Sequence, residues 1–376
     1  MRRLVRWDAL RGLAVLLVMA RHAAPDAMPG AGVVGVVVFF ALSGHLITTL
    51  LLRELDAEGG IRFGAFHLKR ATRLLPALVV MMAGFVLVTL LWDPAAGRGN
   101  LPRALLVAFT YTADLPVAHG SDAIFHLWTL ALEMQFYLLW PPLLLWAHRR
   151  GRTRPLVAGS LVALTLVGVG VALYLGHDFD RAYPWPTSWG GAMLIGAAYA
   201  VLRHERENAG PSVRRRHAGG PFPGSFPGLS RAVAPGAVLL LLAASLVPWR
   251  SYAGTYPWAG LGLAALTVVL MDRWAREERP TGRVLTTLAR VGTVSYAAYL
   301  WNYPLTLWLR PWHPVAGPVL AIALTLVLAA LSWRLVERPA LRRARRTPAY
   351  NGTGGDQSPP RTQSEGTPSW SSAPNP

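Results

Sequence analysis

Apolar runs long enough to cross a lipid bilayer recur along this 376-residue chain, and they constrain its fold more than any other feature. A helix needs roughly 20 consecutive apolar residues to span the hydrocarbon core. Such runs lie near residues 5–23, 32–52, 74–92, 126–147, 155–175, 188–202, 233–248, 256–271, 287–309 and 315–334. Lipid offers no water to satisfy backbone N–H and C=O groups, so each run must close its hydrogen bonds internally as a helix. The expected fold class is all-α, a polytopic membrane helix bundle of about ten transmembrane helices. The apolar stretch 104–112 is too short to cross and is expected to be a re-entrant or interfacial piece.

Charge placement supports that count. Only 15% of residues are charged, against about 25% in a soluble chain. Cytoplasmic loops of membrane proteins are enriched in Lys and Arg. With ten spans and the N-terminus inside, 29 of the 37 basic residues fall in cytoplasmic segments. Arg98, Arg103, Arg181, Arg250 and Arg310 fall in outer loops, and the remaining three are Arg11 and Arg21 of the first span and Arg361 of the tail. An eleventh span at 104–112 would reverse every later loop and destroy this asymmetry, so both termini are expected to be cytoplasmic.

The net charge of +18 could suggest nucleic acid, but the basic residues sit between apolar segments. The tail 347–376 holds only Arg361, Asp356 and Glu365 as charges, so no nucleic-acid partner is expected. The absence of cysteine excludes disulfides, thiolate metal sites and a Cys nucleophile, and no metal site is expected. Residues 1–24 have the outline of a signal peptide, but Asp8, Arg11, Arg21 and His22 interrupt it. They are read as the first span. The Pro/Gly/Arg-rich segment 203–232 is read as a cytoplasmic linker and 347–376 as a disordered cytoplasmic tail, leaving 1–346 as one membrane domain.

Ionisable groups at membrane depth are costly and usually face a bundle interior or a watery cavity. In the first span Arg11 and His22 are eleven residues apart. That spacing places them within roughly 20° of one helical face and about 16 Å apart along the axis. Asp8, one turn before Arg11, can pair with it. His22 is either an interfacial residue or an imidazole able to take a proton from a hydroxyl. In the fourth span His126, Glu133, Tyr137 and Trp140 share a face. Glu133 must pair, hydrogen-bond or be protonated. Its options are an interhelical ion pair with an arginine or the support of a catalytic imidazole. Ser43-Gly44 suits close helix approach. Asn302, before Pro304 in the ninth span, is either a hydrogen-bond donor in a cavity or an interhelical link. Arg70 and Arg73 lie three residues apart before the third span, where they either follow from topology alone or clamp phosphates.

Six segments taken together resemble the acyltransferase-3 family of polytopic membrane O-acyltransferases. They are Arg11 with His22 eleven positions on, Phe39-Phe40-Ala41-Leu42-Ser43-Gly44, Arg70-Ala71-Thr72-Arg73, His126-Leu127-Trp128 through Glu133, Ser295-Tyr296 through Leu300-Trp301, and Val336-Glu337-Arg338-Pro339. Their order runs from residue 7 to 340, nearly the whole chain. The resemblance implies transfer of an acyl group, acetyl by default, from acyl-CoA as cosubstrate to a hydroxyl of a sugar, glycan or glycosylated polyketide. It implies His22 as the catalytic histidine, Arg11 as its motif arginine, Arg70 and Arg73 on the acyl-CoA side, and Glu133 as the acidic residue after the His-Leu-Trp motif.

Three positions depart from the family pattern. Met134 stands where a second acidic residue is common, Asn302 where a histidine is common, and His45 where an aromatic follows Ser-Gly. Some members carry an extracytoplasmic esterase-like domain, for which the tail here is too short and polar. The expected acceptor (a glycan, glycolipid or macrolide) is then handled within the membrane domain, in the cell membrane. The expected mechanism has Arg70 and Arg73 holding the nucleotide phosphates, the thioester end of acyl-CoA extending along the face that bears Arg11, His22 deprotonating the acceptor and Glu133 stabilising the imidazolium. Ser43, Tyr137, Asp8 and Asn302 act as substrate or support residues. The competing expectation is a transporter or flippase for a glycan or lipid-linked sugar, which also places polar groups at midplane. A membrane scaffold without chemistry would leave Arg11, His22 and Glu133 without a purpose.

Overall fold

The computed structural model describes residues 2–92, 98–115, 121–175, 182–208, 227–251, 256–276 and 282–344. Among these the regular structure is helical, with no strand. The helices are α1 (Arg2–Ala23), α2 (Ala31–Glu58), α3 (Phe63–Leu91), α4 (Leu101–Thr110), α5 (Trp128–Arg149) and α6 (Thr153–Leu175). They continue with the short α7 (Pro186–Trp189), α8 (Gly191–Asn208), α9 (Pro227–Ala244), α10 (Tyr256–Arg276), α11 (Arg283–Thr293), α12 (Ser295–Leu309), α13 (Ala316–Ser332) and α14 (Arg338–Ala344).

By length and composition alone, five helical stretches can cross a membrane: Ala31–Glu58, Phe63–Leu91, Asp122–Arg149, Thr153–Leu175 and Ala316–Ala344. The other expected spans coincide with helices that are shorter, more polar or described only in part. α6 buries little beyond Val157 and Gly168 and exposes Val162, Leu166, Val167 and Leu173, an outer surface that hydrocarbon suits and water does not.

Helices α1 and α2 form the centre. Leu10, Ala14 and Val18 of α1 pack with Val34, Val37 and Ala41 of α2 in one apolar cluster. On its other side α1 meets α11 almost backbone to backbone. A Cβ at Gly12 would overlap the Leu288 carbonyl, and one at Gly292 the Asp8 carbonyl. The same device joins α2 to α8, where Gly44 lies on the Met193 carbonyl and Gly196 on that of Ala41. Gly44 thus permits the close approach that Ser43-Gly44 suggested.

The structure corrects several boundaries. The run 287–309 is not one helix: it breaks at Val294 into α11 and α12. α11 exposes Arg283, Thr286, Thr287 and Arg290 and carries its apolar side against α1, so it lies along the bundle and does not continue α12. His126 does not belong to α5. It sits in the 3-10 turn Asp122–Leu127 that precedes α5, which takes it off the helical face assigned to it with Glu133. The 104–112 stretch lies in the ten-residue α4 and an adjoining turn, about 15 Å of helix. The linker expected from 203 begins later, because α8 continues to Asn208 with Arg203 paired to Glu207 and Arg154 to Glu205. Residues 209–226 and the tail 347–376 lie outside the described residues. α13 passes through a π-helical turn, Trp333–Glu337, into α14.

Candidate active site

Two chambers with charged and polar side chains in their walls lie inside the bundle. The first, of about 90 Å³, is lined by Arg11 of α1, Ser43 of α2, Arg70 and Arg73 of α3, and Glu133 and Tyr137 of α5. α12 closes it with Ser295, Tyr296 and Tyr299. The structure therefore brings the three arginines assigned to the donor side together from α1 and α3, in a chamber walled by five helices. A Glu133 carboxylate oxygen accepts the Tyr137 hydroxyl at 2.5 Å and also the Ser43 hydroxyl. The Arg70 guanidinium lies over the rings of Phe66 and Tyr137, at 5.6 and 5.8 Å from their centroids. Such cation–π contacts help fix the direction of a guanidinium. Asp8 and Arg11 form no ion pair within 4 Å among the described residues, but Asp8 lies within electrostatic range of both Arg11 and Arg73. Glu337, in the π turn, accepts from Ser332 at 3.0 Å and is felt by Arg73.

The second chamber, of about 220 Å³, contains His22. The His22 Nδ1 lies 2.7 Å from Oδ1 of Asn302 in α12, and its ring packs on Tyr303 with centroids 4.9 Å apart. His126 also packs on Tyr303, with ring centroids 5.2 Å apart, and its Nε2 donates to the Leu300 carbonyl at 3.1 Å. Arg310 donates to the backbone carbonyl of His22, tying the end of α1 to the end of α12. Arg21, Trp128 and Tyr183 complete the wall.

Val36 and Tyr299 line both chambers and form the partition between them. The Tyr299 hydroxyl is held 2.6 Å from Thr129 Oγ1 and 2.9 Å from the His126 carbonyl oxygen. Arg11 on one side and His22 on the other thus face successive compartments along the same surface of α1.

This geometry corrects the expected pairing of Glu133 with His22. Glu133 lies in the arginine chamber and its hydrogen bonds go to Ser43 and Tyr137, whereas the partner of His22 is Asn302. Asn302 is an interhelical link, and it presents its oxygen to the histidine, not a donor. His45 lines neither chamber: it is buried between the rings of Trp7 and Tyr199. Met134 packs into an apolar cluster beside Tyr137 and Leu144, a place that suits a thioether better than a second carboxylate. Sequence reasoning gave no role to Arg310 or Tyr303. Arg310 was one charge in an outer-loop count, and nothing local marks it as meeting His22.

Fold and site together define an all-helical, multi-pass membrane protein with a histidine-bearing chamber set against an arginine-bearing one. The chain belongs to the acyltransferase-3 family, whose profile, described as an acyltransferase domain, matches residues 4–336. It is 28% identical over 357 residues to the peptidoglycan O-acetyltransferase OatA of Listeria monocytogenes, covering 88% of this chain and 55% of that protein. It is 27% identical over 351 residues to a putative peptidoglycan O-acetyltransferase of Bacillus subtilis, over 88% of this chain and 54% of that one. A putative O-acetyltransferase of Staphylococcus aureus is 26% identical over 356 residues, covering 88% of this chain and 56% of that one. The chain spans about half the length of these curated relatives. No solved structure matches it.

Proposed function

We propose that this chain is a membrane O-acyltransferase that moves an acyl group, acetyl by default, from acyl-CoA to a hydroxyl of a glycan, glycolipid or glycosylated polyketide. The observation that carries this reading is the shared partition. A donor held by arginines in one chamber needs to extend only past Val36 and Tyr299 to reach an imidazole in the next.

In this scheme the bundle crosses the membrane ten times with both ends cytoplasmic, as the arginine distribution favours. Arg70 and Arg73 hold the nucleotide phosphates of CoA from the cytoplasmic side, since guanidinium forks match phosphate oxygens. Arg11 lies along the path of the thioester end. The acceptor hydroxyl lies against His22, whose Nε2 is the nitrogen not engaged by Asn302. Nε2 takes the hydroxyl proton as the oxygen attacks the thioester carbonyl. The tetrahedral intermediate then collapses, the C–S bond breaks and the thiolate of CoA receives the proton from the imidazolium. The products are an O-acyl ester and CoA thiol, with no net proton left over. Glu133 acts within the donor chamber, where its charge and its hold on Ser43 and Tyr137 set the position of the arginines. Direct transfer is favoured over a covalent acyl-enzyme, because the chain has no Cys and Ser43 lines the arginine chamber and not the one that holds His22.

The relatives' names point to a cell-envelope glycan as acceptor. The test is label transfer from acetyl-CoA, carrying its label in the acetyl group, to a panel of glycans, glycolipids and glycosylated macrolides by detergent-purified protein. Label on one acceptor class supports the reading and names the substrate. Consumption of neither acetyl-CoA nor longer acyl-CoA thioesters would contradict it and favour a transporter.

A further inference from the structure

We propose that Thr325, at the centre of α13, fixes which nitrogen of His22 is free to react, acting through Asn302. The inference rests on His22 as the base of the proposed reaction, but the hydrogen-bond logic stands without that role.

Thr325 is fully buried in the apolar middle of its helix, and its hydroxyl donates to the Ala321 carbonyl one turn earlier at 2.6 Å. A hydroxyl has one hydrogen, so toward any other neighbour Thr325 can only accept. That neighbour is Asn302, also fully buried, whose Nδ2 lies 3.4 Å from Thr325 Oγ1. The amide orientation follows. With its NH2 group directed at Thr325, Asn302 turns its Oδ1 to His22 Nδ1 at 2.7 Å. The flipped amide would set its oxygen against a hydroxyl with no hydrogen left to give, two acceptors face to face. An amide oxygen cannot donate, so His22 Nδ1 must carry the hydrogen. The lone pair is then on Nε2. The direction of this chain, His22 to Asn302 to Thr325 to the Ala321 carbonyl, is set at its far end by α13.

A bare structural explanation exists for half of this, since buried threonines in helices commonly return their hydrogen to a carbonyl one turn back. It does not account for the second contact, which links Thr325 to a side chain whose other end touches the histidine. Thr325 is thus a positioning residue. The wrong tautomer at a general base disables proton transfer without disturbing substrate binding.

The experiment uses the full chain in detergent with ¹⁵N-labelled histidine. The His22 resonances are assigned by their disappearance in His22→Gln. Protonated and bare imidazole nitrogens give well-separated ¹⁵N shifts, so the tautomer is read directly. Wild type and Thr325→Ser should both hold the hydrogen on Nδ1. Thr325→Val, nearly the same shape without the acceptor, should show a mixture. The expected kinetic result is a kcat lower by roughly tenfold in Thr325→Val, part of the 10²–10⁴-fold that a general base contributes. KM for donor and acceptor should stay within about twofold, and Thr325→Ser should restore kcat. A wild-type His22 with its hydrogen on Nε2 overturns the proposal even if Thr325→Val fails to fold. So does a folded Thr325→Val with unchanged tautomer and kcat. A His22→Ala variant with full turnover alongside the expected wild-type tautomer would instead remove the base role and leave the hydrogen-bond chain standing.

Discussion

Tyr137 donates its hydroxyl to Glu133 one turn earlier on α5, at 2.5 Å, and so ties a carboxylate that lines the arginine chamber to its own helix. Ser43 adds a second donor to the same oxygen from α2. Glu133 is therefore a junction between α2 and α5, and its neighbours across the chamber are arginines, not His22. Replacing it with Leu leaves the buried Tyr137 and Ser43 hydroxyls without their acceptor. That should cost about 1–3 kcal/mol of stability. Glu133→Gln keeps an acceptor oxygen and should lose less stability while raising KM for acyl-CoA. Thermal unfolding beside donor titration checks both halves. Equal stability loss in the two variants would count against the junction.

The partition makes a separate prediction. Val36 lines both chambers, so Val36→Phe adds bulk at the partition between them while leaving every arginine in the chain. Donor binding should persist within about twofold while transfer falls more than tenfold, since added bulk in a packed interior has nowhere to go. Unchanged transfer would mean that donor and acceptor meet by another route.

Arg70 and Arg73 should act through KM. Losing a charge-assisted hydrogen bond of about 1.5–3 kcal/mol corresponds to a roughly tenfold to hundredfold rise in KM for acyl-CoA. Arg70→Lys should recover only part of it, because an ammonium lacks the guanidinium fork that Arg70 presents from above Phe66 and Tyr137. The check is acyl-CoA saturation kinetics at two salt concentrations. A loss confined to kcat would place these residues outside donor binding.

Helix contact is testable at Gly292, where any Cβ falls on the Asp8 carbonyl. Gly292→Ala must push α11 from α1 and should cost about 1–3 kcal/mol. Gly64→Ala, in the first turn of α3 with open space around it, should be neutral or slightly stabilising. The two melting temperatures, measured in one detergent, give the comparison.

Much of this arrangement was legible in the sequence. Helicity follows from apolar runs that lipid forces to close their own hydrogen bonds, and the shortness of 104–112 predicted a helix unable to cross. The spacing of Arg11 and His22 placed them at two depths on one face, and the chambers lie accordingly. What failed was whatever depended on contact between helices. Periodicity along α5 marks Glu133 as inward-facing but says nothing of the depth of His22 on another helix, so the pairing of the two was misjudged. The break at Val294 escaped because Val291, Val294 and Ala297 are apolar on both sides of it, and hydropathy does not register chain direction. Thr325 and Arg310 carried no signal: one is a hydroxyl in the apolar middle of a helix, the other a loop charge, and each gains meaning only from its neighbour across the bundle.

The central claim is that His22 performs the proton transfer on a donor bound in the adjoining chamber. The most direct measurement is a single-turnover reaction with acetyl-labelled acetyl-CoA in wild type and His22→Gln, with donor affinity measured in parallel. The account predicts that His22→Gln binds acetyl-CoA within about twofold of wild type and transfers label at least 10²-fold more slowly, the lower bound for loss of a general base. Transfer at the wild-type rate by a correctly folded His22→Gln would contradict it.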